Sequence, residues 1–150
     1  MYQRKRWGWM LGAVLCCALP GVSLLQGCGG GGGVANAVSN PALYAGTYNG
    51  TFSVTQGPSK GQGGTLNFTA SNSGTINGTL VDAGGSPATF TGTVNGNTGQ
   101  INVNGSFLNG TTISANGRLL NNAGTITGSG NFTVSNGNRG TFTTTRNPPA

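Results

Sequence analysis

The sequence contains no histidine, no glutamate and one aspartate, Asp82. That removes paired catalytic carboxylates, a Ser-His-Asp relay and the usual zinc ligands together, so no enzyme, metal site or bound cofactor is expected. Asp82 stands beside Gly84-Gly85 and reads as a turn residue, since a calcium ligand would need several more oxygens of its kind nearby. Charged side chains make up only 5% of the chain, too few for an ordinary cytosolic protein. The formal charge of +6 is not gathered into a stripe: Arg4, Lys5 and Arg6 stand together at the start, while Lys60, Arg118, Arg139 and Arg146 are scattered. Nucleic-acid binding needs clustered basic groups to displace counterions from phosphates, so no nucleic-acid partner is expected. Cys16 and Cys17 lie inside an N-terminal apolar run, which leaves Cys28 as the single thiol beyond it, with no partner for a disulfide. Trp7 and Trp9 also fall in that run, and no segment of the chain has a helical period.

Residues 1–27 have the three parts of an export signal. Arg4-Lys5-Arg6 is the positive end, Trp7 to Leu19 the apolar core, and Pro20-Gly21 breaks a helix ahead of the cleavage region. An uncleaved transmembrane helix from Trp7 to Leu25, about 19 residues, is the competing reading of the same stretch. Leu25-Gln26-Gly27-Cys28 separates the two, because it resembles the lipobox of bacterial lipoproteins, with Gln26 in place of the usual small or β-branched residue. The resemblance implies that Leu25, Gln26 and Gly27 are read by the signal peptidase. It also implies that the Cys28 thiol takes a diacylglycerol, that the chain is cut before it, and that the new amine is acylated. The implied partner is then a membrane, held through lipid on Cys28. Gly29 lacks the aspartate that favours inner-membrane retention in proteobacterial lipoproteins, so in a cell envelope with two membranes the resemblance points to the outer one.

Gly29 to Gly33 and then Val34 to Leu43 carry neither period nor charge, and residues 28–43 are expected to be a flexible tether. From Tyr44 the apolar period becomes two. Tyr44, Gly46, Tyr48, Gly50, Phe52 and Val54 fall on one face, with Thr47, Asn49, Thr51 and Ser53 on the other. The split recurs from Leu66-Phe68-Ala70 through to Gly140-Phe142, giving about eight half-buried strands within residues 44–146, followed by a tail over 147–150. Short turn clusters separate them, at Asn72-Ser73, Gly84-Gly85-Ser86, Gly96-Asn97, Asn109-Gly110, Asn121-Asn122 and Asn136-Gly137, and only Gln56 to Gly63 is longer. The fold class expected is all-β, an antiparallel up-and-down meander.

Gly-Thr followed by an apolar residue recurs at Gly64, Gly74, Gly78, Gly92, Gly124 and Gly140, placing glycine on the apolar face. Tight curvature explains this, because a small closed barrel has no room for a side chain at every inward position. An outer-membrane barrel would need an apolar outer band and aromatic girdles, whereas the second face here is Thr, Asn and Ser, so a small soluble barrel is expected. The strands, with the Tyr44–Phe52 opening and the Gly140–Arg146 ending, resemble small bacterial envelope lipoproteins, a likeness that brings no activity with it.

Minor motifs have bland explanations. The sequons at Asn49, Asn77 and Asn131 follow from strand-and-turn composition, and the Thr rows 89/91/93 and 141/143/145 would not lie flat enough on a coiled barrel to match ice. Two functions remain: a non-catalytic structural or interaction module meeting an envelope protein partner, and a barrel holding a small apolar ligand as lipocalins do. Interior volume separates them. The inward glycines favour a filled interior, and with it the interaction module.

Overall fold

The alternation of period two becomes eight strands in the computed structural model, which describes residues 39–148. They are β1 (Gly46–Gln56), β2 (Gly63–Ala70), β3 (Thr75–Asp82), β4 (Pro87–Val94), β5 (Gln100–Phe107), β6 (Thr112–Asn122), β7 (Thr125–Val134) and β8 (Arg139–Arg146). The export signal, with Leu25, Gln26, Gly27 and Cys28, and residues 28–38 of the tether lie outside the described residues.

Each strand pairs antiparallel with the next, and β1 pairs with β8, so the meander closes into a barrel. Closure leaves no bare strand edge, which matters in a chain whose side chains are mostly small. Outward positions form cross-strand rows of polar residues, such as Thr65–Thr51–Thr143 and Asn102–Asn116–Asn131. The inward positions carry the core, from Tyr48 and Phe68 through Leu119 to Phe142.

The inward glycines are explained by register. Phe52 lies across from Gly64, Gly78 sits between Phe68 and Phe90, and Phe132 and Phe142 face Gly140 and Gly130. A methyl group on Gly78 would stand 2.5 Å from both Phe68 Cβ and Phe90 Cζ. The rings therefore fold over glycine backbone on neighbouring strands, which lets the sheet coil tightly while large side chains still fit inside. Phe68 and Phe90 meet edge to face with centroids 6.3 Å apart, a favoured aromatic geometry.

Three local expectations are corrected. Gly74 and Gly124 are not inner-face strand residues but turn residues, with φ of 84° and 92°. Asn121 and Asn122 are not a turn but the end of β6, and the two-residue turn is Ala123–Gly124. Positive φ at both of its residues, 51° and 92°, matches the right-handed twist of the flanking strands, and alanine gives no sequence signal for that conformation. Finally, Pro41–Tyr44 forms a 3-10 turn where the tether was expected to run on to Leu43. Tyr48 Oη donates to the Tyr44 carbonyl at 2.6 Å, and Pro41 lies against Gly74 and Gly96, so the segment belongs to the barrel.

Candidate functional site

The strands run alternately up and down, so the connections divide between two ends. One end gathers the 3-10 turn, the β2–β3, β4–β5 and β6–β7 turns and the end of β8. The other gathers the β1–β2, β3–β4, β5–β6 and β7–β8 connections.

The first end is closed. Tyr48, Ile76, Leu119 and Ile126 fill it and are fully withdrawn from solvent. The Tyr48 ring stacks on Phe68 at 4.6 Å, and burial pushes its phenol up from 10.0 to about 12, an effect that the nearby Arg146 charge partly offsets. Arg146 occupies an inward position of β8 and laces the end shut: Nη1 donates to the carbonyls of Leu43 and Ala45, and Nη2 to that of Gly124. Thr144, also inward and buried, donates through Oγ1 to the Asn49 carbonyl at 3.0 Å, so its hydroxyl is satisfied.

The second end is open and leads into a cavity of about 330 Å³. All six phenylalanines of the chain, Phe52, Phe68, Phe90, Phe107, Phe132 and Phe142, line it. Phe52, Leu80, Val103, Phe107 and Val134 are only partly buried, because one side of each faces the empty space. The rim is polar, with Ser59, Gln62, Asp82, Ser86, Asn109 and Asn138 among its residues. The interior is therefore not filled throughout, as the inward glycines led one to expect. Glycine packing is tight in the wall while the axis of the open half stays empty.

The rim is held in place before anything binds. Asn138 is 6% exposed; its Oδ1 accepts from the Ser59 amide at 2.9 Å and its Nδ2 donates to Ser59 Oγ at 3.1 Å. These bonds tie the longest connection, residues 57–62, to the β7–β8 turn, and Val54 adds a backbone bond to the Gln62 carbonyl at 2.8 Å. Asn109 and Asn136 each accept an amide two residues on, which shapes their turns. Asp82 plays the turn role expected of it, since Oδ1 accepts from the Ser86 amide at 2.8 Å. It also holds an inward position at the lip of β3, across from Gly64. Asn138 and Ser59 were not singled out from sequence. The parity shared by all six phenylalanines was the available signal for the cavity wall.

Such a site can exclude water from an apolar guest and orient it by polar groups at the mouth. Among the described residues no group of three or more His, Cys, Asp or Glu could hold a metal ion.

No protein-family model matches the chain, and no curated protein matches it significantly. Solved structures do. A redesigned β-barrel bound to DFHBI is similar over 73% of this chain and 99% of its own, with a TM-score of 0.51 and 19% identity. A de novo designed fluorescence-activating β-barrel is similar over the same shares, with a TM-score of 0.50 and 16% identity. At these identities the likeness is one of fold, the closed antiparallel barrel.

Proposed function

We propose that this chain is a non-catalytic barrel of the bacterial cell envelope, anchored by lipid on Cys28, that takes a small apolar ligand into its open end. The cavity carries the reading: about 330 Å³, walled by six phenylalanines and rimmed by fixed polar groups, lies within the usual range for small-molecule sites. A purely structural module has no need of such a void, because each unfilled position forfeits contacts that packing would supply. The anchor rests on Leu25-Gln26-Gly27-Cys28, and the outer membrane on Gly29 after the cysteine.

Two experiments test this. With the full chain in lipid nanodiscs, and empty nanodiscs as blank, equilibrium dialysis should show saturable uptake of naphthylmethanol. Leu80→Trp, placing an indole in the cavity, should abolish that uptake without lowering the melting temperature. No uptake above blank would remove the carrier reading. For the anchor, cells fed labelled palmitate should label the native chain, while Cys28→Ala accumulates as an unlabelled longer precursor. A native chain released without lipid would defeat the envelope assignment.

One observation favours the interaction module as a second reading. Leu108, in the β5–β6 turn at the mouth, is 91% exposed. An apolar side chain so placed suits a partner that docks on the rim, and Leu108→Ser would weaken that docking while leaving naphthylmethanol uptake unchanged.

A further inference from the structure

The open half of the barrel carries its charge unevenly. Along β3 the inward positions run Ile76, Gly78, Leu80 and Asp82, so the sole carboxylate side chain of the sequence sits on the inner face at the lip of the cavity. Among the described residues only the Ser86 amide donates to it, at Oδ1, and a carboxylate has about four lone-pair sites to offer. No lysine or arginine among the described residues lines the cavity. Lys60 and Arg139 belong to the same end but are exposed, and Arg139 pairs with the outward Thr133. Arg146 is inward but at the opposite, closed end, and is occupied by three carbonyls.

The wall below the lip is aromatic on several sides, with Phe52 and Phe132 edge to face at 5.6 Å and Phe68 and Phe90 likewise at 6.3 Å. Such rings offer faces and edges to a flat guest, and their faces attract a cation. At about 330 Å³ the space is roughly twice the ~150 Å³ cavity that accepts benzene, which suits two fused rings.

We infer that the cavity selects a planar aromatic amine: two fused rings among the phenylalanines and a cationic ammonium at the mouth, met by the Asp82 carboxylate. This rests on the ligand-binding reading above and names its ligand class. A fatty acid, whose carboxylate would face Asp82 with no cation on the wall, is disfavoured.

The test uses three guests of one shape, naphthylmethylammonium, naphthylmethanol and naphthoate, dialysed against the full chain in nanodiscs with empty nanodiscs as blank. The ammonium should bind roughly fivefold tighter than the alcohol, a modest factor because the lip is partly solvated, and naphthoate should bind weakest. Asp82→Asn keeps an oxygen for the Ser86 amide, so its melting temperature should hold while the preference for the ammonium over the alcohol disappears. If the alcohol saturates but naphthoate binds as well as the ammonium, or the preference survives in Asp82→Asn, the charge selection is wrong and the carrier reading stands. If none of the three saturates, the carrier reading falls and this inference with it.

Discussion

At one end of the barrel Tyr48, Ile76, Leu119 and Ile126 are fully buried, and at the other Phe52, Leu80, Val103, Phe107 and Val134 are only partly so. The same strands build both ends, with the same alternation and the same inward glycines. What differs is what fills each end. The closed end receives the Pro41–Tyr44 turn and the Arg146 side chain, whereas the connections of the open end run around its rim. Alternation thus decides which residues face inward, and insertion of a plug decides whether the inside is full. In a coiled barrel walled largely by glycine and phenylalanine, removing or adding a plug is enough to turn core into pocket.

The largest effect that sharpens this contrast comes from truncation. Leu119→Ala at the closed end should cost ~2–5 kcal/mol in urea unfolding, because the packed surroundings collapse only partly onto the lost volume. Val103→Ala beside the cavity should cost only about 1 kcal/mol, since it enlarges a space that already exists. Equal costs would mean that the two halves are equally packed.

Alkaline pH should act through the closed end. The buried Tyr48 phenol titrates near 12 in the folded chain against 10.0 ordinarily, so the folded state holds its proton more tightly than the unfolded chain. Its contribution is fully present below pH 10 and is lost as pH rises through 12, at up to ~1.4 kcal/mol per pH unit. Tyr48→Phe should flatten that part of the stability profile. A slope unchanged in the variant would place the titrating group elsewhere.

Gly78→Val and Gly128→Val should each destabilise by ~1–3 kcal/mol, through overpacking against Phe68 and Phe90 in one case and Leu119 and Thr144 in the other. Naphthylmethanol uptake should tell them apart. Only Gly78→Val pushes on rings that line the cavity, so only that variant should change the affinity. A local effect is expected at the rim: Asn138→Ala strips the Ser59 amide of its acceptor, costs ~1–2 kcal/mol, and should speed tryptic cleavage after Lys60.

Much of the barrel was legible because a strand has a period of two. Thr, Asn and Ser alternating with apolar residues and glycine placed eight strands and named their inner faces, and short clusters of Asn, Gly and Ser marked most of the turns. The signal failed where conformation departs from composition. Ala123 takes a positive φ that alanine does not advertise, and Gly74 and Gly124 share the Gly-Thr motif with inward glycines yet serve turns. The cavity escaped for another reason. Glycine on the inner face is consistent with tight packing and with an empty axis alike, and which one holds depends on rings reaching across from neighbouring strands.

By itself, then, the sequence pointed to an all-β meander closed into a small barrel with a polar exterior, and to a Cys28 motif that resembles a lipidation site. Those are local properties: residue type, alternation and motif spacing along a single stretch of chain. Only tertiary structure decided which residues of β1 and β8 pair, that Asn138 clasps Ser59 across 79 residues, and that Arg146 returns to the Leu43 carbonyl across 103. Closure brings those distant residues into hydrogen-bond reach, and whether the interior is plugged or open is settled at the two ends of the barrel, where segments far apart in the chain meet.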